Sequence, residues 1–251
     1  MNNSSTFSQL PRLACATLLI VLTILLVGPG KLLRPARASS QVHALFDLSS
    51  PTSGPFPSNV FTVVDSTQNT SLRVNLPKPD CLARPSDCKD IDLLNALDGF
   101  NLQPRLSIPF DGPIDVNSVT SQTVFLISLG STLPDGDTRD EVVGIDQIVW
   151  DPISNTLHVE AGKLLEQHTS YALIITSGVH DSFGTPVGPE AMFERFRHEL
   201  NFGQTHDQNL KTYRKALLDA LKAARDHGID EDDIVSAAVF TTQSVTAILE
   251  R

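Results

Sequence analysis

Between Leu106 and Pro186 the apolar residues come in short runs cut apart by Gly, Pro and Asp, and no other feature narrows the fold as much. In "RLSIPF" the residues Leu106, Ile108 and Phe110 fall on alternate positions, and in "SYALIITSGV" so do Tyr171, Leu173 and Ile175. Alternation places such side chains on one face of a strand. "QTVFLISL" is instead a continuous apolar run, of the kind sandwiched in a two-sheet core. Pro109 points to an edge strand or a bulge, because it has no N–H for a ladder. "GIDQIVW" and "TLHVEA" read as strands joined by the turn Asp151–Asn155. Upstream, "VFTVVD" and "LRVNLP" are strand-like, and "IDLLNALDGF" is a short apolar helix or turn ending at Gly99. Strand length, spacing and turn chemistry predict a mainly β fold, a β-sandwich with a C-terminal helical segment.

The last third changes period. Leu210, Tyr213, Leu217, Leu221 and Ala224 are spaced by threes and fours, which predicts an amphipathic helix with Asp207 as N-cap and Gly228 as its stop. Asp230 and the acids after it suit another first helical turn. Ile234 to Phe240 reads as a short buried strand, and "TTQSVTAILE" as a capped helix beginning at Val245. The expected organisation is a signal peptide over 1–38, a Ser/Pro/Gly-rich linker over 39–59, a sandwich over 60–200, and a helical extension over 201–251 leading to a following domain absent from this chain.

The first 38 residues hold Arg12, Lys31, Arg34 and Arg37 and no acid, and Leu13 to Gly28 is unbroken apolar sequence. Ala36-x-Ala38 matches a cleavage site, so the segment reads as a cleaved secretory signal, with an uncleaved anchor as the rival. Membrane contact is expected only through this segment if it stays uncleaved. The expected location is secreted, periplasmic or at the cell surface. Cys15 opens the apolar run rather than following it, which argues against lipid modification there. The formal net charge is −10, from 19 basic and 29 acidic residues. No basic stripe offsets it, and nucleic-acid binding is excluded on that ground.

Cys81 and Cys88 form an even pair in a chain read as exported, which suggests a local disulfide. The rival is a metal site, for which C-x6-C with no nearby His is poor. Trp150, the only tryptophan, ends an apolar strand and is expected to plug the core, with ligand stacking as the alternative. Tyr171 opens a strand after "LLEQHTS", the placement of a tyrosine corner whose hydroxyl bonds to backbone a few residues upstream. Both roles are structural.

Catalytic signatures are missing. The chain has no G-x-S-x-G, P-loop, G-x-G-x-x-G or H-E-x-x-H. His180-Asp181-Ser182 are neighbours in sequence, and triads are assembled in space from separated residues. The acidic loop Asp135–Glu141 is the best metal candidate by composition, yet it lacks EF-hand spacing and reads better as a solvated hairpin loop. No catalytic residue, metal or cofactor is assigned.

Two stretches, "LDGFNLQPRLSIPFDGPIDVNSVTSQTVFLISLGS" and "NTLHVEAGKLLEQHTSYALIITSGVHDSFGTPV", resemble bacterial Ig-like domains of secreted multidomain proteins. More closely, "FP", "LRVNLP", "DC…SDC", "LDGFNLQPRLSIPFDG" and the terminal "FTTQSVTA" resemble the N-terminal domain of bacterial virulence-factor lipases over most of residues 55 to 251. In that family an α/β-hydrolase domain follows this module. The resemblance implies a non-catalytic, exported accessory module whose partner is a hydrolase domain, in cis in relatives or supplied in trans. Two alternatives stand beside it: a fragment of a secreted lipase or esterase with its catalytic domain beyond residue 251, and a stand-alone surface-binding or adhesion module.

Overall fold

The computed structural model describes residues 41–133, 139–198 and 207–246, all within the compact unit Gln41–Arg251. The expected signal peptide therefore lies outside the described residues, as do most of the acidic loop and, past Thr246, most of the helix expected from Val245. In chain order the elements are β1 (His43–Ala44), β2 (Thr62–Val64), β3 (Leu72–Val74), α1 (Pro85–Leu94), β4 (Arg105–Pro109), β5 (Val124–Ser131), β6 (Val142–Val143) and β7 (Ile145–Asp151). They continue with β8 (Thr156–Ala161), β9 (Thr169–Thr176), β10 (Gly188–Pro189), α2 (Ala191–His198), α3 (Gln208–Asp226) and β11 (Ile234–Thr241).

The fold is mainly β, with two sheets facing one another and helices on the outer side of one of them. The larger sheet has the order β11-β9-β5-β6, and the smaller is β4-β8-β7. All their pairings are antiparallel. Side chains with period two link them. Leu106 and Ile108 of β4, Leu157 and Val159 of β8, Val124 and Leu126 of β5, and Tyr171, Leu173 and Ile175 of β9 form one core between the sheets. The alternation legible in the sequence thus sorts residues to this inner face.

The continuous apolar run of β5 has a different cause from the one expected. Phe125 and Ile127 point away from the second sheet, and with Ala172, Ile174, Ala237 and Val239 they pack under α3 and α2. A strand covered on both faces needs no polar positions. Tyr213, Leu217, Ala220, Leu221 and Ala224 supply the buried stripe of α3. Asp207 caps that helix, its carboxylate accepting from the N–H groups of Asn209 (2.8 Å) and Leu210 (3.2 Å). Gly228, at φ +82°, supplies the left-handed backbone just beyond its end.

Two segments sit differently from their sequence reading. Part of the stretch read as a linker is integrated: β1 pairs in parallel with β10, and Phe46 is fully buried against Phe193 at 5.0 Å between ring centroids. Ser, Pro and Gly dominate its composition, so a single buried aromatic leaves little periodic signal. The segment read as a helical extension holds α3, then one 3-10 turn at Glu231–Asp233, then β11 in the main sheet. Asp230 caps only that turn, which the acids after it form, because the β-branched and small residues from Ile234 onward pair with β9. Pro109 ends β4, an outer strand of its sheet.

Candidate functional site

The sandwich has two ends. One gathers the tip of β11, the segment from Asp98 to Arg105 and the start of β9. Here the chain leaves the main sheet through Thr242, Gln243 and Ser244, and the polar residues of "FTTQSVT" hold it down. Thr241 N–H donates to Asn59 Oδ1 (2.9 Å), while its carbonyl accepts from Phe100 N–H (2.8 Å). Thr242 is fully buried; its hydroxyl donates to the Glu166 carbonyl (2.6 Å) and accepts from Thr169 N–H (3.0 Å). Ser244 binds a single carboxylate twice, N–H to Asp98 Oδ1 at 2.8 Å and hydroxyl to Asp98 Oδ2. Gln167 Oε1 then accepts from the N–H groups of Val245 (3.0 Å) and Thr246 (3.3 Å). Thr242 and Ser244 have the chemistry of helix caps, yet they satisfy groups from other parts of the chain.

Gly99 is required at this crossing. A Cβ there would lie 2.7 Å from backbone atoms of Thr241, Thr242 and Gln243. Beside the crossing opens a cavity of about 320 Å³, lined by Phe56, Val74, Leu76, Leu94, Leu97 and Phe100, with Gln243 and Arg105 among its polar members. Leu94 and Leu97 of this lining are themselves exposed to solvent. Cys81 and Cys88 are joined in a disulfide, with 5.7 Å between their Cα atoms, which fixes the lead-in to α1 against that helix.

Tyr171 is fully buried at the same end, and its hydroxyl accepts from Glu166 N–H at 3.1 Å, five residues upstream. Burial pushes its phenol above the ordinary range, and the Glu166 bond pulls the other way. Trp150 is half-buried at the edge of the inter-sheet core, 6.2 Å from the Phe110 ring. Neither contacts the cavity.

Among the described residues the chemistry is sparse. Ser107 Oγ and His158 Nδ1 are 2.9 Å apart across the β4–β8 ladder, a pairing the sequence did not suggest. Burial, then the nearby Arg105 charge, lowers the His158 pKa. Among the described residues no carboxylate orients this imidazole: Asp151 Oδ1 accepts from Ile153 N–H and its Oδ2 from the Ser154 hydroxyl. Ser107 N–H, a candidate oxyanion donor, is bound to the Phe56 carbonyl at 2.8 Å. The pair has none of the supporting geometry of a nucleophile site. Asp181 likewise serves its own loop, its Oδ1 accepting from the N–H groups of Phe183 and Thr185. No group of three or more His, Cys, Asp or Glu among the described residues is placed to hold a metal ion, and no helix there is long and apolar enough to cross a membrane.

The described residues thus form a two-sheet β module with a helical outer layer, a clamped last strand and an apolar cavity beside that clamp. The chain belongs to the bacterial virulence factor lipase N-terminal family, whose model matches residues 38–250. No curated protein matches the sequence.

Proposed function

We propose that this chain is an exported, non-catalytic module that seats a hydrolase domain of a secreted lipase or esterase. The observation that carries the proposal is the clamp on Thr241–Thr246 beside an open apolar cavity, in a chain whose family is the N-terminal part of lipases. A strand pinned by Thr242, Asp98 and Gln167 delivers whatever follows it in a defined direction. The cavity, with its exposed Leu94 and Leu97, then offers apolar area next to that exit, which a following domain would remove from water. The partner is the hydrolase domain in cis. The buried Tyr171 and its upstream backbone bond support the Ig-like reading of the sandwich. The apolar run Leu13–Gly28 and Ala36-x-Ala38 support export, with Ser39 as the first residue of the mature chain.

The test uses a two-domain relative. Its hydrolase domain is expressed alone and joined to this module, and the melting temperature and short-chain p-nitrophenyl ester turnover are compared. The joined form is expected to melt higher, and Leu94→Ser in the module to reduce the difference. Equal stability and turnover in all forms overturn the seating role. Serine-inhibitor-sensitive turnover by this chain alone overturns the non-catalytic reading.

A further inference from the structure

The cavity beside Gly99 is kept open by ties within its walls. Asn95, the C-cap of α1, accepts from Leu76 N–H through Oδ1 (2.7 Å) and donates to the Leu76 carbonyl through Nδ2 (3.0 Å). Val74 N–H donates to the Leu97 carbonyl at 2.9 Å. Phe56 and Phe100 stand edge to face, with 5.5 Å between ring centroids. Phe56 is in turn bound to Ser107 of β4, donating through its N–H (2.9 Å) and accepting through its carbonyl (2.8 Å). Walls tied in this way do not collapse onto one another. The cavity therefore leaves apolar surface without packing partners, which weakens the fold until something fills it. Its volume of about 320 Å³ lies in the range of preformed ligand pockets.

The charge of the lining has one sign. Arg105 belongs to it and is exposed, which puts the guanidinium at the mouth. Among the described residues the Arg105 side chain makes no hydrogen bond or ion pair. Glu160 stands opposite it in the β4–β8 ladder, but its Oε2 accepts from Gln103 Nε2 at 3.4 Å. The remaining polar side chains of the lining are the carboxamides of Asn101 and Gln243, and no carboxylate of the described residues belongs to it. Gln243 Oε1 is buried without a hydrogen-bond partner. An apolar body with an unpaired cation at its opening complements a ligand with an apolar tail and an anionic head.

We infer that the cavity binds the alkyl chain of a medium-chain carboxylate, with the carboxylate at Arg105. At roughly 30 Å³ for each water-sized group, about ten such groups fill it, which sets the chain length. The apolar lining selects the tail, and charge complementarity selects the head. The inference uses the cavity of the seating role without resting on that role, since binding is read on this chain alone.

The test is titration of the full nitrogen-labelled chain with hexanoate, octanoate and decanoate below their micellar concentrations, followed by the amide shifts of Gly99 and Phe100. Affinity is expected to rise about fourfold for each added methylene, as apolar area leaves water. Arg105→Gln should weaken decanoate about threefold, the size of an exposed ion pair, and leave decanol unchanged. Leu94→Asp puts an acid into the lining at a side chain already 45% exposed, and should weaken decanoate at least about tenfold. The Leu13–Gly28 run can take up alkyl chains itself, so the local shifts and the differences between variants are the readings. Absence of shifts at Gly99 and Phe100 with all three acids overturns the inference, as does an affinity independent of chain length. Decanol binding as tightly as decanoate, or decanoate binding unchanged by Arg105→Gln, would make a hydroxyl on Gln243 Oε1 the head contact and overturn the carboxylate. The seating role is read from a joined hydrolase domain, so its failure and failure here are separate results.

Discussion

The exit end of the sandwich and the opposite end use the same residue types to opposite effect. At the exit, Asp98 and Thr242 are buried and bind groups brought from distant parts of the chain. At the far end, Asp151 is only half-buried, its Oδ1 binds the N–H group of its own turn, and Ile153, which it positions, faces water. The contrast teaches that a polar side chain stabilises a fold in proportion to what is left unpaired when it is removed. A buried network leaves unsatisfied donors and acceptors behind, whereas an exposed turn leaves groups that water can serve.

The difference can be broken most severely at Gly99. Gly99→Ala drives a Cβ into the backbone of Thr241–Gln243, and an unfolding free energy lower by about 3 kcal/mol is expected in urea titration. A loss under about 1 kcal/mol would show that the crossing can relax. Next comes alkaline pH. Burial pushes Tyr213, whose hydroxyl accepts from Ser58 Oγ at 2.9 Å, up to about 12. A phenol whose pKa is higher folded than unfolded holds its proton better in the native state. Its contribution is therefore complete below pH ~10 and declines by about 2–3 kcal/mol as pH rises to ~12. Tyr213→Phe should flatten that decline, and an unchanged slope would assign it to other groups.

Thr242→Val keeps the shape and removes the hydroxyl, leaving Thr169 N–H and the Glu166 carbonyl without it. A loss of about 2 kcal/mol is expected, with amide exchange at Thr169 accelerated. Tyr171→Phe leaves Glu166 N–H without its partner, for about 1 kcal/mol or more in melting experiments. Unchanged stability there would mean that the hydroxyl bond contributes nothing. The smallest effect belongs to the far end: Ile153→Ser with Phe183→Ser should stay within about 0.5 kcal/mol of wild type, since both side chains are already in water. A larger loss would mean that these tips serve the fold.

Much of the β architecture was legible because period-two alternation survives wherever one face meets a core and the other does not. Leu106 and Ile108, and Tyr171 and Leu173, show it directly. The α3 stripe was legible for the same reason at its own period. The cysteine pair was suggested by parity in a chain read as exported. The candidate site was much less visible. "FTTQSVT" looked like cap chemistry, because Ser and Thr before an apolar run usually serve the next helix. In the structure Thr242 and Ser244 turn to Glu166, Thr169 and Asp98, partners far away in sequence. Gly99 carried the one available signal, a glycine where an apolar segment stops. The Ser107–His158 contact depends on strand register, which the sequence states only as two separate residues.

The sequence by itself determined which residues are apolar, at what period, and where glycine, proline and aspartate interrupt them. Burial follows from those patterns, so the strands, the main helix and the inner face of the sandwich were settled locally. Only the tertiary structure decided that β5 is covered on both faces, that Phe46 belongs to the core, and that the exit strand is clamped beside an apolar cavity. It also decided that Ile153 and Phe183 stand in solvent at the far end. Hydrogen-bond partners and neighbouring surfaces join residues tens of positions apart, and no periodicity along one chain encodes which of them will meet.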